Sequence, residues 1–148
     1  MGLGIYLLPS ADSVFSQDRL FTNPFALTFD GRQGGAKEFR LYVRNDDPLY
    51  YYTNIVLTLQ DIGDESIVDR PDDGFVWKLS QGDVQPTLND WNNIAPANTV
   101  SLSDIGSSGS PDSSTYLPFW VYVEVPPGLD VQTFSTVQFV LSGEENLI

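Results

Sequence analysis

The sequence predicts an all-β fold, an antiparallel sandwich of about seven strands, and three observations carry that expectation. Apolar residues recur at every second position in several separate runs, which is the period of a half-buried strand and not of a helix. The chain holds 9 Phe, 7 Tyr and 3 Trp, residues that favour extended backbone. Its 12 Gly and 10 Pro break 148 residues too often for long helices.

The elements follow in order. Phe25, Leu27 and Phe29 alternate, and GRQGG at 31–35 supplies a glycine-rich turn. KEFRLYVRN is the clearest strand: Phe39, Leu41 and Val43 share one face, with Glu38, Arg40, Tyr42 and Arg44 on the other. NDDP at 45–48 turns the chain. In YYYTNIVLTLQ, Ile55, Leu57 and Leu59 alternate with Asn54, Val56, Thr58 and Gln60. Acidic loops at 61–74 flank a short Ile67–Val68 segment, and Phe75, Trp77 and Leu79 make the next inward set. Residues 81–98 read as a loop around Trp91, and Val100 and Leu102 alternate within 99–105. GSSGSPDSS at 106–114 is a small polar loop. In PFWVYVEVPPG, Phe119, Val121, Val123 and Val125 oppose Trp120, Tyr122 and Glu124, and PPG ends the strand. Val137, Phe139 and Leu141 form the last strand, before a frayed acidic end. No helix is expected. Strands without intervening helices cannot make parallel crossovers, hence the antiparallel prediction.

Residues 1–24 keep no period and read as an extended N-terminal arm before a domain over 25–148. The arm carries Ile5, Tyr6, Leu7, Leu8, Phe15 and Phe21, apolar side chains that need cover from a neighbouring subunit or from the domain itself. Deleting it is expected to leave a folded monomer that no longer binds its partner. Tyr50, Tyr51 and Tyr52 are the other candidate partner-binding residues, since tyrosine offers contact area and a hydroxyl at low entropy cost. On a strand, Tyr50 and Tyr52 share a face and Tyr51 takes the other, so at least one ring is half exposed.

Composition narrows the chemistry. With no Cys and no His, the chain lacks thiolate ligands, disulfides, the usual general base and the commonest zinc ligand. No catalytic residue, metal site or cofactor is expected. Asp69, Asp73 and Gly74 fit positions one, five and six of a calcium loop, but Pro71 and Ser80 occupy positions three and twelve. Asp61, Asp64 and Glu65 read as solvated loop acids. A net charge of -13 argues against nucleic-acid phosphates and anionic membranes. All seven bases (Arg19, Arg32, Lys37, Arg40, Arg44, Arg70, Lys78) precede eight acids that have no base among them. That later half suits a basic partner, or keeps like subunits apart except where contacts are built in. Trp77, Trp91 and Trp120 raise a sugar-stacking alternative, with Trp77 assigned to the core by its alternating neighbours and the other two open.

FRLYVRN at 39–45 followed by NIVLTLQD at 54–61 resembles the second and third strands of immunoglobulin-like modules, in which an Asn closes the second strand. NTVSLSDIG at 98–106, YLPFWVYVEVPPG at 116–128 and TVQFVLSG at 136–143 resemble the last three. The resemblance covers about residues 25–143 and implies an immunoglobulin-like β-sandwich without the cysteine pair. FALTFDGRQGG with KEFRLYVRNDDPLYYYTNI is also similar in style to small structural proteins of tailed-phage virions. That likeness implies a head decoration (cement) or tail-associated protein, located in the virion, that binds capsid or tail subunits and self-associates. The alternative is a carbohydrate-binding or adhesion module of the same architecture.

Overall fold

A computed structural model describes residues 2–6, 29–61, 69–107, 115–129 and 137–148, with the backbone alone at 61, 69–71, 137 and 138. Eight strands, one short α-helix and a 3-10 turn at Pro71–Asp73 lie among these residues: β1 (Leu3–Tyr6), β2 (Gly35–Asn45), β3 (Tyr50–Asp61), β4 (Asp69–Arg70), β5 (Phe75–Gln81), α1 (Leu88–Asn92), β6 (Val100–Leu102), β7 (Tyr116–Val125) and β8 (Val137–Leu147). They form two sheets, β1-β2-β7-β5-β4 and β6-β3-β8. Every ladder among them is antiparallel, so the protein is an all-β sandwich.

Alternation places the core between the sheets. Leu41 and Val43 of β2, Leu79 of β5 and Phe119, Val121 and Val123 of β7 face Tyr52, Ile55, Leu57 and Leu59 of β3 and Phe139 of β8. Phe119 meets Phe139 edge-on across the gap, ring centroids 5.8 Å apart. In the second sheet β6 lies beside β3, and among the described residues no strand lies beyond β8.

Four local features were not anticipated. Residues 3–6 are part of the sheet, pairing Leu3 with Asn45 through Tyr6 with Tyr42, and so do not belong to an arm over 1–24. Four residues are too few to show a period, and their partner lies about forty positions away. Second, β8 runs on to Leu147, because Tyr50–Thr53 pairs with Glu144–Leu147 and holds the acidic end. Third, β3 changes phase. Tyr52 and Ile55 both face inward although their parity differs, and a bulge between Thr53 and Val56, with Asn54 at φ 51°, absorbs the extra residue. Fourth, Thr87 caps α1, accepting from the Asp90 amide while the Asp90 carboxylate accepts from its own.

Two imino acid and glycine positions are dictated by pairing. Pro118 sits inside β7 where Tyr42 of β2 is its partner, and its carbonyl accepts from the Gly82 amide just past the end of β5. β5 stops at Gln81, so the missing Pro118 N–H interrupts no ladder. In the 31–35 turn, Gly34 has φ +69°, and a Cβ there would lie 2.6 Å from the Val125 carbonyl oxygen. The expected strand at Phe25–Phe29 and the Ile67–Val68 segment lie outside the described residues except for Phe29, which packs against the core.

Candidate protein-interaction surfaces

The residues expected to bind a partner divide sharply. Ile5 and Tyr6 are 2% and 5% exposed and covered by the domain itself, the second of the two covers expected for them, so they are not available to a partner. Tyr52 is fully buried: its phenol accepts from the Gly2 amide at 2.7 Å and donates to Glu145 Oε1 at 2.8 Å. It too is unavailable. Tyr50 is half-buried and packs against the core, while Tyr51 is exposed. Leu7, Leu8, Phe15 and Phe21 lie outside the described residues, as do Asp64, Glu65 and the side chain of Asp61.

Tyr51 belongs to a larger apolar feature. The start of β3 and the end of β8 form a ribbon tip in which Tyr50 opposes Leu147 and the Ile148 amide donates to the Leu49 carbonyl at 3.0 Å. Leu49, Leu147 and Ile148 are each more than 60% exposed. Successive residues alternate across the ribbon, so Leu49, Tyr51 and Ile148 present one face and Leu147 the other. The turn leading into the tip is held by hydrogen bonds. Asn45, completely buried, donates through Nδ2 to the carbonyls of Tyr50 (2.8 Å) and Gly106 (3.1 Å) and accepts from the Asp47 amide (2.8 Å). Asp47 in turn accepts from the Leu49 amide at 2.8 Å. Exposed Glu144 and Glu145 border the tip on β8. The result is an apolar projection with an acidic rim.

A second surface lies on the outer face of the first sheet. Cross-strand register aligns Arg44 with Tyr116, Tyr42 with Pro118, and Arg40 with Trp120 and Ser80. The Arg40 guanidinium stands over the Tyr42 and Trp120 rings at 5.5 and 5.9 Å. Tyr42 and Tyr116 meet edge-on at 5.9 Å. The neighbouring part of this face is covered by the 82–98 crossover: Trp91 packs on Tyr122 at 5.4 Å, donates through Nε1 to Glu38, and accepts at its carbonyl from Lys78 Nζ at 2.8 Å.

Neutral donors do much of the work of holding carboxylates, as a chain with so few bases requires. Tyr6 donates to Asp46 and Tyr122 to Glu124. Burial, then the Asp46 hydrogen bond and charge, push the Tyr6 phenol up to about 12. Burial, the Glu124 bond and the Glu124 and Glu38 charges do the same to Tyr122, also to about 12. Burial opposes ionisation of Asp46, but hydrogen bonds from Arg44 and Tyr6 and the Arg44 charge outweigh it and hold this carboxyl below its ordinary value.

A shallow groove between the sheets is lined by Gln81, Gly82, Leu102, Ser103, Leu117 and Pro118, none of which titrates near neutrality. Among the described residues no three carboxylates gather into a metal site. The sugar-platform alternative loses two of its rings: Trp91, expected in a loop with its role left open, lies in α1 and is 1% exposed, and Trp77 packs against the core as expected. Trp120 remains half-buried, with Arg40 beside it.

Sequence reasoning placed Arg40, Tyr42 and Arg44 on one outward face but did not join them to Trp120, because register between strands 80 residues apart leaves no local mark. Leu49, Leu147 and Ile148 were missed because the end of the chain was read as frayed. Comparison with protein-family models, curated proteins and solved structures finds no match to this chain.

Proposed function

We propose that the chain is a non-enzymatic structural protein of a tailed-phage virion that binds capsid or tail subunits and stabilises the particle, head decoration being the leading assignment. The observation that carries this reading is the ribbon tip, where Leu49, Tyr51, Leu147 and Ile148 stand exposed on a hydrogen-bonded turn. Covering each aliphatic side chain there is worth about 1–2 kcal/mol, since part of its surface is already buried. The acidic rim favours a subunit groove bordered by Lys or Arg. Contacts this small suffice when they repeat at every symmetry-related position on a particle. The acidic, cysteine-free, single-sandwich character of the chain agrees with the virion proteins it resembles.

The test is the composition of purified particles. The chain should be present in fixed ratio to the major head or tail subunit. Leu49→Asp combined with Leu147→Asp, checked for folding by circular dichroism, should be lost from those particles. Absence of the wild-type chain from heads and tails alike ends this reading.

A further inference from the structure

A chain of net charge -13 repels its own copies wherever carboxylates dominate its surface. The outer face of the first sheet is different. Arg40 Nη1 and Asp83 Oδ1 lie 2.6 Å apart there, with side chains 40% and 71% exposed. Arg44 Nε meets Asp46 Oδ1 at 2.6 Å further along the same face. Each guanidinium has a carboxylate beside it, so among the described residues this strip carries charges of both signs on a strongly acidic molecule. Between the charges lie the Tyr42 ring, itself buried, and the half-exposed ring of Trp120, whose indole donates to the Asp83 carbonyl at 3.2 Å. Val84, 86% exposed, follows Asp83.

Charges of both signs permit approach, and the arrangement selects the partner. A two-fold contact needs a patch that complements itself, because residue i of one copy meets j of the other while j meets i. A guanidinium and a carboxylate set around aromatic rings satisfy that condition. Turned by half a revolution, Arg40 faces the copy's Asp83 and Asp83 faces the copy's Arg40. A partner of single sign would satisfy one of the two charges and oppose the other. Arg, Trp and Tyr are also the side chains that most often anchor interfaces.

We propose that this face is a two-fold interface between copies of the chain, in which Arg40 of each copy exchanges its own Asp83 for the other's across the Trp120 rings. The tip that carries the proposed function lies on the second sheet, so such a dimer leaves both tips free. The inference does not depend on that function.

Sedimentation velocity of the full chain tests it, with concentration raised from about 1 to about 500 µM to cover affinities of ordinary weak dimers. The wild type should pass from monomer to dimer, with a change in tryptophan emission as Trp120 loses water. Arg40→Asp, and separately Asp83→Arg, should each weaken the dimer by about 100-fold or more, since each sets like charges face to face. Both sites are solvent-exposed, so folding survives, as circular dichroism will report. Combining the two substitutions should restore the dimer, and the tip variant should leave it unchanged. A wild type that stays monomeric throughout overturns the inference. So does a dimer indifferent to Arg40→Asp, one lost with the tip variant, or a double variant that fails to recover.

Discussion

The indole N–H of Trp91 donates to the carboxylate of Glu38, a residue 53 positions earlier, and helps close the 82–98 crossover onto the first sheet. Gln85 donates to the same carboxylate. The contrast is Trp77, whose Nε1 is buried with no hydrogen-bond partner among the described residues. Trp91→Phe should therefore cost about 2 kcal/mol, because it deletes a bond to a charged group. Trp77→Phe should cost less, within about 1 kcal/mol, since removing an unpaired buried donor offsets part of the lost ring area. Urea midpoints of the two variants compare them directly, and equal losses would contradict the account.

Asn45 is the pin of the β2–β3 turn. Asn45→Ala strands two carbonyls and one amide inside the protein, so a loss of about 2–4 kcal/mol is expected. Asn45→Asp keeps the shape but cannot donate to the Tyr50 and Gly106 carbonyls, and should be no better. Thermal unfolding of both variants checks this. An Asp as stable as wild type would show that the two donated bonds carry little energy.

The phenols set the alkaline limit. Tyr6 and Tyr122 keep their protons up to about 12 in the folded chain, against 10.0 when unfolded. Between those values the folded state holds more protons, so stability is complete below about pH 10 and falls as pH rises toward 12. Asp46 acts at the other end: its depressed value gives stability that is present above 3.8 and lost as pH falls through the folded value. Denaturant midpoints across pH 8–12 for wild type and Tyr6→Phe measure the alkaline effect, which should be shallower in the variant.

Asn54 holds the bulge of β3 at φ 51°, a conformation that Asn tolerates and β-branched residues do not. Asn54→Val should cost about 1–2 kcal/mol and Asn54→Gly should be near neutral. If valine is accepted without loss, the bulge relaxes and the phase of the strand is set elsewhere.

β1 contributes Ile5 to the core at 2% exposure. Ile5→Ala should cost about 2–4 kcal/mol, and removing residues 1–6 should cost at least as much. A truncated chain with wild-type stability would place the N-terminal strand outside the cooperative unit.

Much of the architecture was legible because alternation is local. Of the inward sets readable one strand at a time, Leu41/Val43, Ile55/Leu57/Leu59 and Phe119/Val121/Val123 are buried in the core, Phe39 is partly buried against it, and Val125 at the end of β7 is half-buried. The bulge left a trace that was not followed: Tyr52 shares a face with Tyr50, yet the later inward set has the opposite parity, and one strand cannot satisfy both without an extra residue. The candidate surfaces were only half legible. Tyr51 was identified, but its neighbours Leu49, Leu147 and Ile148 come from two strands joined almost a hundred positions apart.

From the sequence by itself came the fold class, the position of the long strands, and the absence of His and Cys chemistry, because composition and a two-residue period need no knowledge of what lies opposite. Only the tertiary structure decided which strands are neighbours, that Ile5, Tyr6, Tyr52 and Trp91 lie inside, and that Arg40 stands beside Trp120 and Asp83. The reason is physical. Whether a side chain faces water depends on register and on what the loops lay across a sheet, and both are set by the free energy of the whole assembled sandwich, not by any one segment of it.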